Sequence, residues 1–270
     1  MLEDLRLEIS FKDLNQLKKK IDFCLVNKIM KINIPCKGNL KKDFLLEVVK
    51  YIGTNYKSLD VIYHYSFYHE YHKNKILSYE KFLNFLEINK TYNNKILLVS
   101  GSKKRNNFDV LKILDCLKSD ISRNISFGVA YNPYFDDFND LKTEQNRLIY
   151  KINSGLINSI WLQFGSNCNN LSREIKFLKE IKHDFSKNKN KQIDFYGSLF
   201  IPSKQFLARF KFRPWRGVYL SNDYLDSIEV SKNITKKIID IYLENNIIPL
   251  IESECYSEKQ LKEARKFIKL

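Results

Sequence analysis

Residues 126–134 read SFGVAYNPY. Phe127, Val129 and Ala130 continue an apolar run that begins at Ile125, as a buried strand would. Tyr131, Asn132, Pro133 and Tyr134 then stop it. Proline lacks an N–H and asparagine favours turns, so the strand ends with two phenols near its C-terminal end. An acidic loop and a long stretch of helical period follow. This is one strand–helix unit, and the fold depends on how often the unit recurs.

Working outward, it recurs eight times. The strand candidates are RLEIS (6–10), KINIP (31–35), DVIYHY (60–65), KILLVS (95–100), NISFGVAY (124–131), SIWLQF (159–164), QIDFYGSLF (192–200) and IIPLIE (247–252). Helical periodicity follows each of them near 11–27, 40–53, 77–90, 107–118, 140–154, 170–186, 203–211 and 257–268. A further helix is expected near 224–245, inside a longer connection that holds RPWRGVYLSND (213–223). Eight such units over residues 1–270 fit an α/β chain folded as a single (β/α)8 TIM barrel. The rival is an open doubly wound sheet, but no GxGxxG follows the first strand, which counts against a dinucleotide fold of that kind. No linker or low-complexity segment divides the chain.

Composition narrows the function classes. Lys plus Arg number 46 against 31 Asp plus Glu, a net charge of +15. The lysines are scattered, as on solvated helix faces, and their charge would favour an anionic cofactor or substrate. The aromatic segment HYSFYHEYH (64–72) could stack on bases, yet no nucleic-acid-binding motif accompanies it, so nucleic acid is disfavoured as a partner. Five dispersed cysteines without a CxxC pair argue against a disulfide framework or zinc ribbon and fit a reducing cytoplasm. MLEDLRLEIS is no signal peptide, and no apolar run approaches the roughly 20 residues that span a bilayer, so no membrane partner is expected.

In a barrel, chemistry gathers at the C-terminal ends of the strands. Glu8, His64, Ser100-Gly101-Ser102, Tyr131, Gln163, Gly197-Ser198 and Glu252-Ser253 stand at or near such ends. A carboxylate at Glu8 is costly unless it is solvated, paired or used. His69 and His72 could converge on a metal only within a helix, and no clear further ligand accompanies them, so no metal is expected. VSGSKKR (99–105) reads equally as a phosphate cradle or a solvated loop.

The order of these strand ends resembles the methylenetetrahydrofolate reductases. Ala130-Tyr131 stands where that family has an A-Y-P-E strand end, Lys151 to Gly155 where it has K-V-D-A-G, and Leu162-Gln163-Phe164 where it has T-Q-F or T-Q-L. LEIS places Glu8 on the family's F-E-F glutamate, and YHYSF places His64 on the P-H-L-T-C histidine. LLVSGS is similar to A-L-R-G-D, and FYGSLFIPS to P-G-I-M-P-I. The resemblance implies a barrel holding FAD at its rim, with NADH or NADPH as reductant and methylenetetrahydrofolate reduced to methyltetrahydrofolate. It implies Glu8 as the general acid that activates the folate. His64, Ser100, Gly101, Ser102, Ala130, Tyr131, Glu144 and Lys151 would contact the flavin, and Gln163 the folate or nicotinamide. The chain departs from the pattern at Ser102, where the family carries an aspartate, at Tyr150 beside Lys151, and after Glu8, where Ile9, Ser10 and Phe11 replace F-F-P-P. The alternative is a divergent relative that binds folate or flavin without the standard reaction, or acts with a partner subunit; a homo-oligomer is equally open.

Overall fold

A computed structural model describes residues 5–36, 43–92, 94–101, 108–118, 127–189 and 192–268. Eight parallel strands close into a barrel in the order of the chain. They are β1 (Arg6–Glu8), β2 (Lys31–Ile34), β3 (Asp60–Ser66), β4 (Lys95–Val99), β5 (Phe127–Tyr131), β6 (Ile157–Leu162), β7 (Asp194–Leu199) and β8 (Ile248–Ile251). β1 pairs with both β2 and β8, which closes the sheet. The (β/α)8 expectation holds.

Helices alternate with the strands: α1 (Leu14–Val26), α2 (Phe44–Asn55), α3 (Lys75–Thr91), α4 (Val110–Lys118), α5 (Phe138–Asn153), α6 (Cys168–Lys189), α7 (Lys204–Phe212), α8 (Asn222–Asp226), α9 (Ile228–Glu244) and α10 (Glu258–Ile268). Several begin where a short polar side chain accepts an orphan backbone N–H. Asp13 accepts from Gln16, Asn74 from Leu77 and Asp137 from Asp140, at 2.8, 2.9 and 2.9 Å. The segment expected as one helix at 224–245 is two, because Ser227 is extended and its hydroxyl accepts from Val230 to start α9. The first strand is shorter than expected, although Ile9 still donates to the Asn33 carbonyl at 2.8 Å. The expected start of the fifth strand, 124–126, lies outside the described residues.

Strand alternation sorts side chains into two layers. Leu7, Ile32, Ile34, Val61, Val129 and Ile160 turn outward and pack with the helices in the main core. A second, smaller cluster fills the lumen: Ile62, Leu97, Trp161, Tyr196 and Leu250. Trp161 and Tyr196 stack there with centroids 3.9 Å apart and planes 5° from parallel. Gly128 makes room for that stack, since a Cβ on it would lie 2.5 Å from the indole Nε1. The lumen is therefore packed through its middle, and a ligand could enter only from the rim.

Candidate active site

Register carries polar residues from three adjacent strands to one side of the lumen. Glu8 sits beside Asn33, Asn33 beside Ile62, and His64 beside Leu97. Below them Arg6 is almost wholly buried, at 1% exposure. Its guanidinium donates to Asp60 Oδ2 at 2.5 Å, to the Ile32 carbonyl at 2.9 Å and to Asn33 Oδ1 at 3.2 Å. Burial lowers the Arg6 pKa, and Asp60 opposes that shift. Asn33 Nδ2 meets His64 Nε2 at 2.8 Å. His64 Nδ1 faces Glu8 Oε2 at 3.9 Å, with the two side chains 13% and 8% exposed. A polar chain thus runs from Asp60 through Arg6, Asn33 and His64 to Glu8.

Glu8 opens on a cleft of ≈ 690 Å³ at the C-terminal face. Glu252, Arg209, Phe200, Phe206 and Trp215 also line it. The aromatic wall is preassembled: Phe200 stacks on Phe206 at 5.2 Å, and Trp215 meets them at 5.0 and 5.7 Å. The β1 end is braced from α10's side of the mouth. The Tyr256 hydroxyl donates to the Glu8 carbonyl at 3.0 Å and accepts from the Ser10 N–H at 3.2 Å. The long connection that carries Trp215 is tied to the β5 and β6 loops. Asn132 Nδ2 donates to the Gly217 carbonyl at 2.9 Å, and Ser166 N–H to the Tyr219 carbonyl at 3.0 Å.

The expected site residues divide. Glu8 and His64 come together in the mouth. Ala130 turns into the same lumen and is exposed there, and Gln163 follows β6 half-buried, with Oε1 accepting from Phe164 at 3.4 Å. Ser100 accepts from the Val110 N–H at 3.4 Å, and Gly101 takes a left-handed φ of +88° beside Tyr68. Ser102 and the cations of VSGSKKR lie outside the described residues.

Tyr131, Lys151 and Glu144 are placed elsewhere. Ala130 faces the lumen, so its neighbour Tyr131 must face the helices. Its ring is fully buried, packs near Phe177, and its hydroxyl donates a short hydrogen bond to Glu174. Burial first, then that bond, raises the Tyr131 pKa. Lys151 is 5% exposed and donates to the Ala130 carbonyl at 3.0 Å. Burial lowers its pKa. Glu144 lies 3.9 Å from Arg147, which also reaches Asp109 at 3.8 Å. These three polar ends are taken up behind β5. As they stand they do not fit the flavin-binding role that the family resemblance gives them.

Sequence reasoning missed Arg6, Asn33, Tyr256 and the aromatic wall. Arg6 and Asn33 did carry a signal: in R-L-E and K-I-N-I every second residue is polar, which marks the lumen face of β1 and β2. His72 donates its N–H to Ser78 at 2.8 Å. Among the described residues no three His, Cys, Asp or Glu side chains converge as a metal site. Burial pushes the Cys24 and Cys255 thiols up to about 12, which makes them poor nucleophiles near neutral pH. Among the described residues no helix is long and apolar enough to cross a membrane.

No protein-family model and no curated protein matches the sequence. Solved structures do. Catalytic-site mutants of the active domain 2 of chitinase from Pyrococcus furiosus align at 9% identity and TM-score 0.52, over 93% of this chain and 84% of that one. The same chitinase domain complexed with chito-oligosaccharides aligns at 8% identity and TM-score 0.51, with the same coverage. At such identity the likeness extends to the fold alone.

Proposed function

We propose that the chain is an enzyme acting at the barrel mouth, with Glu8 as the proton donor to a reduced-folate substrate of the methylenetetrahydrofolate type. The observation that carries the reading is the near-buried Glu8 carboxyl, set beside His64 and opening on the cleft. A carboxyl so placed can hand a proton to a ligand in the cleft, and the facing imidazole stands beside the carboxylate left after transfer. The cleft volume lies within the roughly 300–1,000 Å³ of small-molecule sites. Phe206 and Trp215 offer faces to a planar ring, and Arg209 a fork for a carboxylate.

In this reading Glu8 protonates a ring nitrogen of the substrate. The methylene C–N bond breaks, an iminium ion forms, and hydride from NADH or NADPH reduces it to the methyl group. The proton lost from Glu8 is recovered from solvent through the open rim. The folate assignment rests on the strand-end resemblance, and the acid assignment on the geometry of the mouth.

Purified protein incubated with methylenetetrahydrofolate and NADH or NADPH, with and without added FAD, tests the reading. Methyltetrahydrofolate is the expected product. Glu8→Gln should slow its formation by roughly 10²–10⁴-fold, the usual share of a general acid. Calorimetry with methyltetrahydrofolate should still show binding to that variant. Full activity in Glu8→Gln overturns the acid assignment. Absence of both turnover and folate binding in the wild type overturns the substrate class.

A further inference from the structure

We propose that Asn33 is a positioning residue that fixes the His64 ring with its proton on Nδ1, turned toward Glu8. The consequence for catalysis rests on the Glu8 reading above, whereas the tautomer itself follows from the hydrogen-bond chain.

The chain has one direction. A guanidinium only donates, so the Asn33 atom at 3.2 Å from Arg6 must be the carbonyl oxygen. Arg6 cannot turn away from it. Asp60 holds the cation by its carboxylate at 2.5 Å and its carbonyl at 3.2 Å, the Ile32 carbonyl holds it at 2.9 Å, and the Tyr196 ring lies 5.7 Å from it. The other end of the Asn33 side chain is then the NH2 group. It stands 2.8 Å from His64 Nε2, so Nε2 must be the acceptor. An Nε2–H there would set two donors against each other in a buried place, since Asn33 is 0% exposed. The proton of a neutral ring therefore resides on Nδ1, the atom 3.9 Å from Glu8 Oε2.

This arrangement turns an N–H dipole, and not a lone pair, toward the Glu8 carboxyl. When Glu8 gives up its proton, that dipole favours the carboxylate that remains. Asn33 does not itself line the cleft and would act through His64.

The imidazole nitrogens report the tautomer directly. The chain has four histidines, so long-range ¹H–¹⁵N spectra of ¹⁵N-labelled protein resolve each ring, and loss of one set in His64→Gln assigns it. The wild type at neutral pH should show Nδ1 protonated and Nε2 bare. Wild-type spectra with the proton on Nε2 overturn the proposal without any variant. Asn33→Asp keeps an acceptor for Arg6 but presents a second one to the ring. The proton should then appear on Nε2, and an unchanged spectrum would contradict the inference. Neither measurement uses a substrate, so failure of the folate reading leaves them interpretable. Where turnover is found, Asn33→Asp should lower kcat about tenfold with little change in KM, because ground-state contacts are untouched.

Discussion

On the β1–β3 side of the mouth, Arg6, Asn33, His64 and Glu8 turn into the lumen; hydrogen bonds link Arg6 through Asn33 to His64, and Glu8 faces His64 at 3.9 Å. On the β5–α5 side, Tyr131 and Lys151 turn the other way, and their polar ends are satisfied by Glu174 and the Ala130 carbonyl. Both sides bury ionisable groups at strand ends. They differ by one step of strand alternation. Glu8 and His64 have the parity of the lumen, and Tyr131 has the parity of the helices. A residue at the C-terminal end of a barrel strand is thus a candidate for chemistry only when its parity points inward. The first side is open to a ligand at its upper end, whereas the second is sealed and contributes rigidity.

The largest effect should come from the base of the first side. Arg6→Met removes the cation that Asp60 neutralises and the donor that orients Asn33. Breaking a buried ion pair typically costs about 3–5 kcal/mol. The lower end of that range is expected, because Lys95 also reaches Asp60 at 3.4 Å and would partly replace Arg6. Urea unfolding at neutral pH measures it. A loss below about 1 kcal/mol would mean that the chain can reorganise without its base, and the contrast between a pinned and a sealed side would weaken.

The same parity explains what was legible in the sequence and what was not. The eight units could be read because β-branched and aromatic runs such as DVIYHY and SIWLQF alternate with longer amphipathic stretches. Glu8 and His64 could be read because a charged or imidazole side chain on an apolar strand needs a reason. Tyr131 was misplaced because SFGVAYNPY is apolar on both faces, so the pattern gives no clue to which neighbour faces inward. The break at Ser227 was hidden because α8 and α9 share a helical period across one extended residue. The aromatic wall joins Phe200 after β7 and Phe206 on α7 to Trp215 in the long connection, and contacts that cross from the repeat to an insertion follow from loop geometry.

A smaller effect distinguishes the sealed side from a binding side. Tyr131→Phe deletes one buried hydroxyl and leaves the Glu174 carboxylate with Gln145 at 2.9 Å and Arg173 at 2.9 Å. The loss should be about 1.5–3 kcal/mol in unfolding free energy, as for a hydrogen bond to a charged group. Under the folate proposal, affinity for methyltetrahydrofolate, read by calorimetry, should not change. A shift in affinity with no loss of stability would return Tyr131 to the ligand site and overturn the division of the mouth.

The smallest effect is one of slope. Burial lowers the Lys151 pKa below its ordinary 10.5, with Glu144 and Asp109 opposing and Arg147 reinforcing the shift. The folded state therefore binds fewer protons than the unfolded one between the lowered value and 10.5. Stability from this group accordingly rises as pH climbs through that window, and the full penalty of burying the charge is felt below it. Lys151→Met should remove that rise. Near neutral pH its net effect should be within about 1 kcal/mol, because relief of the buried charge offsets the lost bond to the Ala130 carbonyl. Unfolding midpoints measured from pH 7 to 10 in both proteins check the sign. If the variant keeps the wild-type slope, the Lys151 ammonium is solvated in the native state. It would then be free to meet an anionic ligand at the rim, and β5–α5 would belong with β1–β3 as a working part of the mouth.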